Sequence, residues 1–278
     1  MSASEQKQFV GVVGWPVAHS RSPILHNHWC EKYGINGEYV ALPVPPGELE
    51  DCLKELAEVG LRGVNITIPH KEEAYRLVTQ RSETAIRAGA VNTICFLEDG
   101  TTTGDCTDGS GFVANLQAHG VEVAGRVLML GAGGASRAVV AALLDVGCEV
   151  LIANRTRARA EALVEALGGG EVVEWAEWPQ ILSSCRLLVN GTSLGMKGQP
   201  EFDWDAVLAE APAGLVVADM VYAPLETPLL AAAKRRNLQT IDGLGMLMYQ
   251  ARAGFAAWFG VTPEVDEETR ELLVRSLG

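Results

Sequence analysis

Val127-Leu128-Met129-Leu130 runs directly into Gly131-Ala132-Gly133-Gly134-Ala135-Ser136, and apolar residues then recur at Val139, Ala142, Leu143 and Val146 before Gly147. The apolar run predicts a buried strand, the helical spacing predicts a helix, and Gly147 marks its end. Glycines at such a junction permit a tight turn and a close backbone approach. The helix start offers free N–H groups and a positive dipole end to a pyrophosphate. The same turn also serves as a plain βα connection, and Ser136 stands where the general fingerprint has its third glycine or alanine.

The next strand carries the deciding information. In NAD binders the residue ending that strand, roughly 20 positions on, is acidic and bonds the ribose 2′-hydroxyl. Here Glu149 to Ala153 runs into Asn154-Arg155-Thr156-Arg157-Ala158-Arg159, without a carboxylate at the tip. An amide, a hydroxyl and three guanidinium groups suit a 2′-phosphate, so this unit reads as tuned for NADP(H). The alternative makes Thr156 an ordinary N-cap and the arginines a solvated face. Three arginines near a helix start, however, oppose its dipole unless an anion offsets them.

Working outward, strands at about Val127 to Leu130, Glu149 to Ala153, Leu187 to Asn190, Leu215 to Asp219 and Gln239 to Ile241 form a second βα series, the pattern of a doubly wound sheet. Ahead of it, Phe9 to Val13, Glu38 to Leu42 and Gly63 to Ile68 each precede a helical pattern, which predicts a first, mostly parallel sheet. Val91 to Leu97 and Thr101 to Gly104 flank Glu98-Asp99-Gly100, so one edge of that sheet reads as antiparallel. The segment from Gly245 onward is helical by pattern. The fold class is α/β with two domains, as 278 residues allow.

Composition bounds the partners. Twenty-two Lys and Arg against 35 Asp and Glu give a net charge of −13, which repels a nucleic-acid backbone. No apolar run approaches the roughly 18 residues of a membrane span, and the amino-terminal residues lack the apolar core of a signal peptide. The six cysteines are scattered without zinc spacing, so no metal site is expected and reduced thiols in the cytoplasm are the simplest account.

The first half supplies polar residues in suggestive places. Ser20 and Ser22 stand just ahead of Pro23; Ser22 is an N-cap by pattern, and a second hydroxyl two residues earlier makes a small anion site suited to a carboxylate. The run Gly63 to Lys71 reads as a strand with Asn65, Thr67 and Pro69 on one face, and it ends in Lys71, either a surface lysine or a site residue. Gly89-Ala90-Val91-Asn92-Thr93 and Thr107-Asp108-Gly109 place further polar groups among glycines.

Taken together, Gly14-x-Pro16 with His19-Ser20-x-Ser22-Pro23, Asn65-x-Thr67-x-Pro69-x-Lys71, Gly89-Ala90-Val91-Asn92-Thr93, Thr107-Asp108-Gly109 and the Gly131-to-Arg137 turn run in one order. They continue through Asn154-Arg155-Thr156, Asn190-x-Thr192-Ser193, Asp219-Met220-Val221-Tyr222 with Thr227-Pro228-Leu229, and Asp242-Gly243-Leu244-Gly245-Met246 ahead of Gln250. This set resembles the shikimate dehydrogenase family over nearly the whole chain.

The resemblance implies an NADP-dependent, reversible interconversion of 3-dehydroshikimate and shikimate by hydride transfer. It implies a substrate-binding domain over 1–110, a Rossmann-like NADP-binding domain over 111–243, and helices over 244–278 that pack on the first domain. By similarity Lys71 moves the proton and Asp108 is its partner. Ser20 and Ser22 hold the substrate carboxylate, Asn65, Thr67, Asn92 and Gln250 contact ring hydroxyls or the carboxylate region, and Tyr222 neighbours the substrate. Gly131, Ala132, Gly133, Gly134, Ala135, Asn154, Arg155, Thr156, Arg159 and Thr192 line the cofactor, with Gly243 and Met246 near the nicotinamide. A monomer or homodimer is expected.

One departure is Cys106, where the family often has Asn before Thr-Asp-Gly; it reads as an inert, partly buried thiol or else a reactive one. A quinate- or NAD-preferring member calls for a bulkier hydroxyl residue in place of Ser22 and an acid near Asn154, and neither is present. A ligand-sensing regulator without turnover is disfavoured by the retention of Lys71 and Asp108.

Overall fold

The alternation of short apolar runs with helical patterns resolves into two six-stranded sheets in a computed structural model that describes residues 7–277. Internal contacts divide the chain into residues 7–107 with Met248–Ser276, and Asp108–Leu247.

In the first unit the strands are β1 Gln8–Gly14, β2 Gly37–Pro43, β3 Gly63–Ile66, β4 Gln80–Arg81, β5 Thr93–Phe96 and β6 Thr102–Asp105, in the order β2-β1-β3-β5-β6-β4. β2, β1 and β3 are parallel, as helical crossovers require, whereas β5 runs antiparallel to both β3 and β6. The hairpin follows from Glu98-Asp99-Gly100: Gly100 has φ +82°, and Asp99 Oδ1 accepts from Thr101 N at 2.9 Å. Two-residue β4 pairs parallel with β6 and has no readable pattern in the sequence.

The strand expected over 63–68 stops at Ile66. Thr67 N still donates to Val13 O at 2.9 Å, but His70 N then turns back to Thr67 O at 3.0 Å. Pro69 has no N–H to continue a ladder. Thr67 and Pro69 therefore belong to the turn that leads into the Lys71 helix, and the shared strand face with Asn65 is not formed.

The second unit contains β7 Arg126–Leu130, β8 Glu149–Ala153, β9 Glu171–Val173, β10 Leu187–Asn190, β11 Val216–Asp219 and β12 Gln239–Ile241. They lie in the order β12-β11-β10-β7-β8-β9, all parallel, which is the doubly wound arrangement of a dinucleotide fold. Val127 and Met129 enter one apolar cluster, and Leu128 and Leu130 enter another. The period of two thus feeds both faces, which explains why the strand is apolar throughout. Edge strand β9 carries no periodic signal in the sequence, because three residues are too few to show one. Among the described residues no helix is long and apolar enough to cross a membrane.

The core of the first unit includes an aromatic cluster. His26 is 0% exposed and stacks on Tyr39 with ring centroids 4.2 Å apart and an 8° interplanar angle, with Trp29, Phe255 and Trp258 around it. Neither His26 ring nitrogen has a hydrogen-bond partner among the described residues. Burial consequently pushes its pKa from 6.5 down to about 3. The unfolded chain takes up this proton below pH 6.5 and the folded chain does not until about pH 3. The stabilisation from a neutral His26 is thus complete above pH 6.5 and is lost as pH falls toward 3, at about 1.4 kcal/mol per pH unit. Stability from urea unfolding is expected to fall more steeply between pH 6.5 and 4 in the wild type than in His26→Phe. Equal slopes would remove His26 from the acid sensitivity.

Candidate active site

Hydroxyl and amide side chains from β2, the end of β3, the start of β5 and the residues after β6 are joined in one hydrogen-bonded row. Helix Ser22–Lys32 begins one residue earlier than an N-cap role for Ser22 would have it: Arg21 occupies the cap position without a side-chain bond, and Ser22 is already helical. Ser20 supplies the acceptor instead, its Oγ receiving the Ser22 N–H at 3.3 Å. The Ser22 hydroxyl, relieved of capping, bonds to the Tyr39 oxygen. Tyr39 donates onward to Asn65 Oδ1 at 2.7 Å.

Asn65 is 6% exposed and donates from Nδ2 to Asn92 O and Thr93 Oγ1, each at 3.0 Å. Asn92 donates to Thr107 Oγ1 at 3.0 Å and to Gln250 Oε1 at 3.3 Å, and accepts at Oδ1 from Thr107 N at 3.0 Å. Thr107 Oγ1 reaches Gln250 O at 3.0 Å. The structure thus brings together Ser20, Ser22, Asn65, Asn92 and Gln250. It adds Tyr39, which no sequence motif marks, and Thr93 and Thr107, which stand in the motifs above without an expected role. Thr67 stands apart, its hydroxyl unbonded among the described residues; Gly14 makes room for it, since a Cβ there would collide with Thr67 Cγ2.

Lys71 opens helix Lys71–Leu77, and its carbonyl accepts from Val91 N at 2.9 Å, directly before Asn92. His70, 1% exposed, bonds through Nε2 to Val44 O at 2.7 Å. A carbonyl can only accept, so Nε2 carries the proton. Asp108, 6% exposed, follows Thr107 in the chain and opens helix Asp108–Ala118. A path of hydrogen bonds and adjacent residues therefore leads from Lys71 through Val91 and Asn92 to Thr107, the residue before Asp108. Cys106 is 3% exposed, as fits an inert thiol.

In the second unit, Gly131 takes φ +103° at the end of β7, where only glycine sits without strain. Gly133 and Gly134 are different: neither has a positive φ, and a Cβ at either would meet nothing within 4 Å. Helix Gly134–Asp145 has no side-chain cap and no acid in its first turn, so its N–H groups stay available to an anion. Ser136 donates to Gly191 O at 3.4 Å, and a Cβ on Gly191 would crowd Ser136 Oγ and Met129 Cε. The close approach usually secured by a third glycine is secured here by Gly191, just beyond the end of β10.

Asn154 Oδ1 accepts from Ala132 N at 3.2 Å while its Nδ2 donates to Thr156 O at 2.8 Å, lashing the glycine turn to the β8 loop. Thr156 occupies the cap of helix Arg157–Leu167 but makes no side-chain cap bond. The three arginines divide. Arg157 pairs with Glu161 at 2.7 Å and with Glu174, whereas Arg155 and Arg159 are exposed and form no ion pair among the described residues. Gly243 packs on the Met220 backbone, where a Cβ would collide with Met220 O, and Met246 is 8% exposed within an apolar cluster. Tyr222 is half-buried in the loop after β11.

A family model described as the shikimate dehydrogenase substrate binding domain matches residues 12–94, and one described as shikimate / quinate 5-dehydrogenase matches residues 116–196. A relative from Gluconobacter oxydans (strain 621H), named shikimate dehydrogenase (NADP(+)), is 62% identical over 270 residues, covering 97% of this chain and 96% of its own. The chain belongs to the shikimate dehydrogenase family. Among solved structures, the Thermus thermophilus shikimate 5-dehydrogenase in complex with NADP(H) and shikimate is similar at TM-score 0.86 and 38% identity, over 98% of this chain and 100% of that one. The quinate dehydrogenase from Corynebacterium glutamicum in complex with NAD is similar at TM-score 0.87 and 30% identity, over 97% and 99%. Of the site residues expected from the sequence, Asp108, Tyr222, Gly243, Met246 and Gln250 lie outside both family-model spans.

In this shikimate dehydrogenase family member Thr192 is held by the β10 and β11 ends. Its hydroxyl donates to Asn190 Oδ1 at 2.7 Å and accepts from Leu194 N at 3.1 Å. Asn190 Nδ2 in turn donates to Asp219 Oδ1 at 3.0 Å. Asp219, 1% exposed, also accepts from Thr227 Oγ1 at 2.7 Å and Val221 N at 3.0 Å. Burial, partly offset by these three donors, raises its carboxyl from 3.8 to about 6. The motif around Asp219 was visible in sequence, but its place as an anchor was not, because its partners come from three separate segments. Asp219→Ala strands three buried donors and is expected to cost about 3 kcal/mol in chemical denaturation at pH 7.5, against about 1 kcal/mol or less if the carboxylate were dispensable.

Proposed function

We propose that this chain catalyses the reversible NADPH-dependent reduction of 3-dehydroshikimate to shikimate, with the first unit binding substrate and the second binding cofactor. The observation that carries this reading is the buried row from Ser22 to Gln250, which offers hydroxyls and amides, rather than apolar surface, beside Lys71. A polyhydroxylated acid is the ligand such a row accepts, because a site built to hydrogen-bond hydroxyls strongly rejects ligands that lack them.

Ser20 and Ser22 take the carboxylate at the start of helix Ser22–Lys32; Asn65, Thr67, Asn92 and Gln250 take ring hydroxyls or the carboxylate region; and Tyr222 borders the substrate. Ketone reduction needs a proton on oxygen as hydride reaches carbon. Lys71 gives that proton to the carbonyl oxygen and recovers it from the hydroxyl in the reverse direction. Asp108 holds the ammonium in place.

The second unit's residues fit the cofactor. Neither backbone conformation nor protein packing demands glycine at 133 and 134, so the open space there suits a pyrophosphate brought against the bare backbone and the uncapped helix start. Gly131, Ala132 and Ala135 complete the turn. Arg155 and Arg159, left without counter-ions, suit the 2′-phosphate with Asn154 and Thr156 beside them. Thr192 lines the cofactor, with Gly243 and Met246 near its nicotinamide. Bound NADPH supplies the hydride. We assign the protein to the cytoplasm as a monomer or homodimer with small molecules, and not nucleic acid, as its partners.

Mixing the protein with shikimate and NADP⁺ is expected to raise absorbance of the reduced nicotinamide, with weaker signals from NAD⁺ or quinate; silence with shikimate would refute the reading. Lys71→Ala is expected to lower kcat by roughly 100-fold or more while shikimate affinity by calorimetry changes little. Comparable losses in both would reduce the lysine to a substrate contact. Arg155→Ala is expected to raise the Michaelis constant for NADP⁺ about tenfold or more and leave that for NAD⁺ nearly unchanged. A parallel rise for both cofactors would discard the 2′-phosphate assignment.

A further inference from the structure

Helix Ser22–Lys32 grips one residue of the neighbouring strand at three points. The Ser22 hydroxyl bonds to the Tyr39 oxygen, the His26 ring lies flat over the Tyr39 ring at 4.2 Å, and the Asn27 amide takes the Tyr39 main chain. In the last of these, Nδ2 donates to Tyr39 O at 2.9 Å while Tyr39 N donates to Oδ1 at 2.8 Å. β2 is the edge of its sheet, with β1 as its sole strand neighbour among the described residues, so the outward N–H and C=O of Tyr39 have no strand to pair with. Asn27 stands in for that missing strand.

We infer that Asn27 and His26 are positioning residues for the substrate carboxylate, acting through Tyr39. The inference rests on the reading above, in which Ser22 and Asn65 contact substrate. Tyr39 donates to Asn65 at 2.7 Å and accepts from Ser22, so one phenol oxygen sets the separation between the carboxylate end and the hydroxyl end of the site. Asn27 fixes where the Tyr39 backbone sits, and His26 fixes the tilt of its ring. With neither nitrogen bonded, His26 contributes its flat shape rather than a hydrogen bond. A shift of the phenol oxygen would displace Ser22 and Asn65 together, and small displacements of positioning groups are costly.

Asn27 is solvent-exposed, so its truncation should leave the fold standing. Asn27→Ala is expected to raise the Michaelis constant for shikimate about tenfold, with kcat and the Michaelis constant for NADP⁺ within about twofold of wild type. His26→Ala should raise the shikimate constant as well, and His26→Phe, which keeps a flat ring, should restore it. In a Tyr39→Phe background, where the hydroxyl link is already cut, Asn27→Ala should add less than about twofold. An undiminished Asn27→Ala effect in that background would overturn the inference, as would a lowered Tm with an unchanged shikimate constant. Wild-type protein that does not oxidise shikimate overturns the underlying reading instead; wild-type activity with a wild-type Asn27→Ala variant overturns this inference alone.

Discussion

The Asn92 side chain is 2% exposed, so its amide must find donors and acceptors inside the protein or lose the free energy of leaving water. It finds them on the adjacent Thr93 and on segments far apart in sequence: Thr107 and Gln250 around the side chain, and Ile66 and Asp105 around the main chain. Meeting that demand brings the ends of β3, β5 and β6 to one place with helix Gly243–Phe259. The Lys71 helix is drawn in by the Val91 N–H one residue earlier. In physical terms, the site is where a buried amide is satisfied. A polar network of this kind is favourable only when every member is paired, which makes its geometry specific.

The second unit meets a different constraint, the approach of backbone to backbone at a parallel sheet. Gly191 lets Ser136 and Met129 close over the end of β10, and Gly109 lets helix Asp108–Ala118 settle on Ala138, where a Cβ would strike the carbonyl. These glycines serve the protein's own packing. Gly133 and Gly134 face open space, so the same residue type does two separate tasks within one domain. The contrast converts a common motif into a specific argument for a ligand, since packing alone would have tolerated alanine there.

Periodicity carried most of the fold. The continuous apolar run of β7 requires cover on both faces, and the glycine turn and hairpin each needed only local chemistry. What was illegible depended on distant partners. Ser20 and Ser22 were separable by pattern only as a cap and an extra hydroxyl; in the structure the roles reverse, because Tyr39 competes for the Ser22 hydroxyl. Thr67 left the expected strand because a turn closed on it. Three arginines in five residues looked alike until Glu161 and Glu174 took Arg157. Two-residue β4 and three-residue β9 are held by their neighbours' ladders rather than by any pattern of their own.

An edge strand is ordinarily a liability, since its unpaired N–H and C=O groups invite another chain. β2 carries its outward groups at Tyr39, the residue whose phenol joins the two ends of the hydrogen-bonded row. Placing an asparagine of the neighbouring helix on those groups closes the edge locally and anchors the same helix whose first turn holds Ser22. The helix cannot move along the strand without breaking the Asn27 pair, and Tyr39 cannot rotate without disturbing the His26 stack. Protection of the edge and placement of the hydroxyl are thus one arrangement. A central strand could not have supported it, because both its sides would already be taken by other strands.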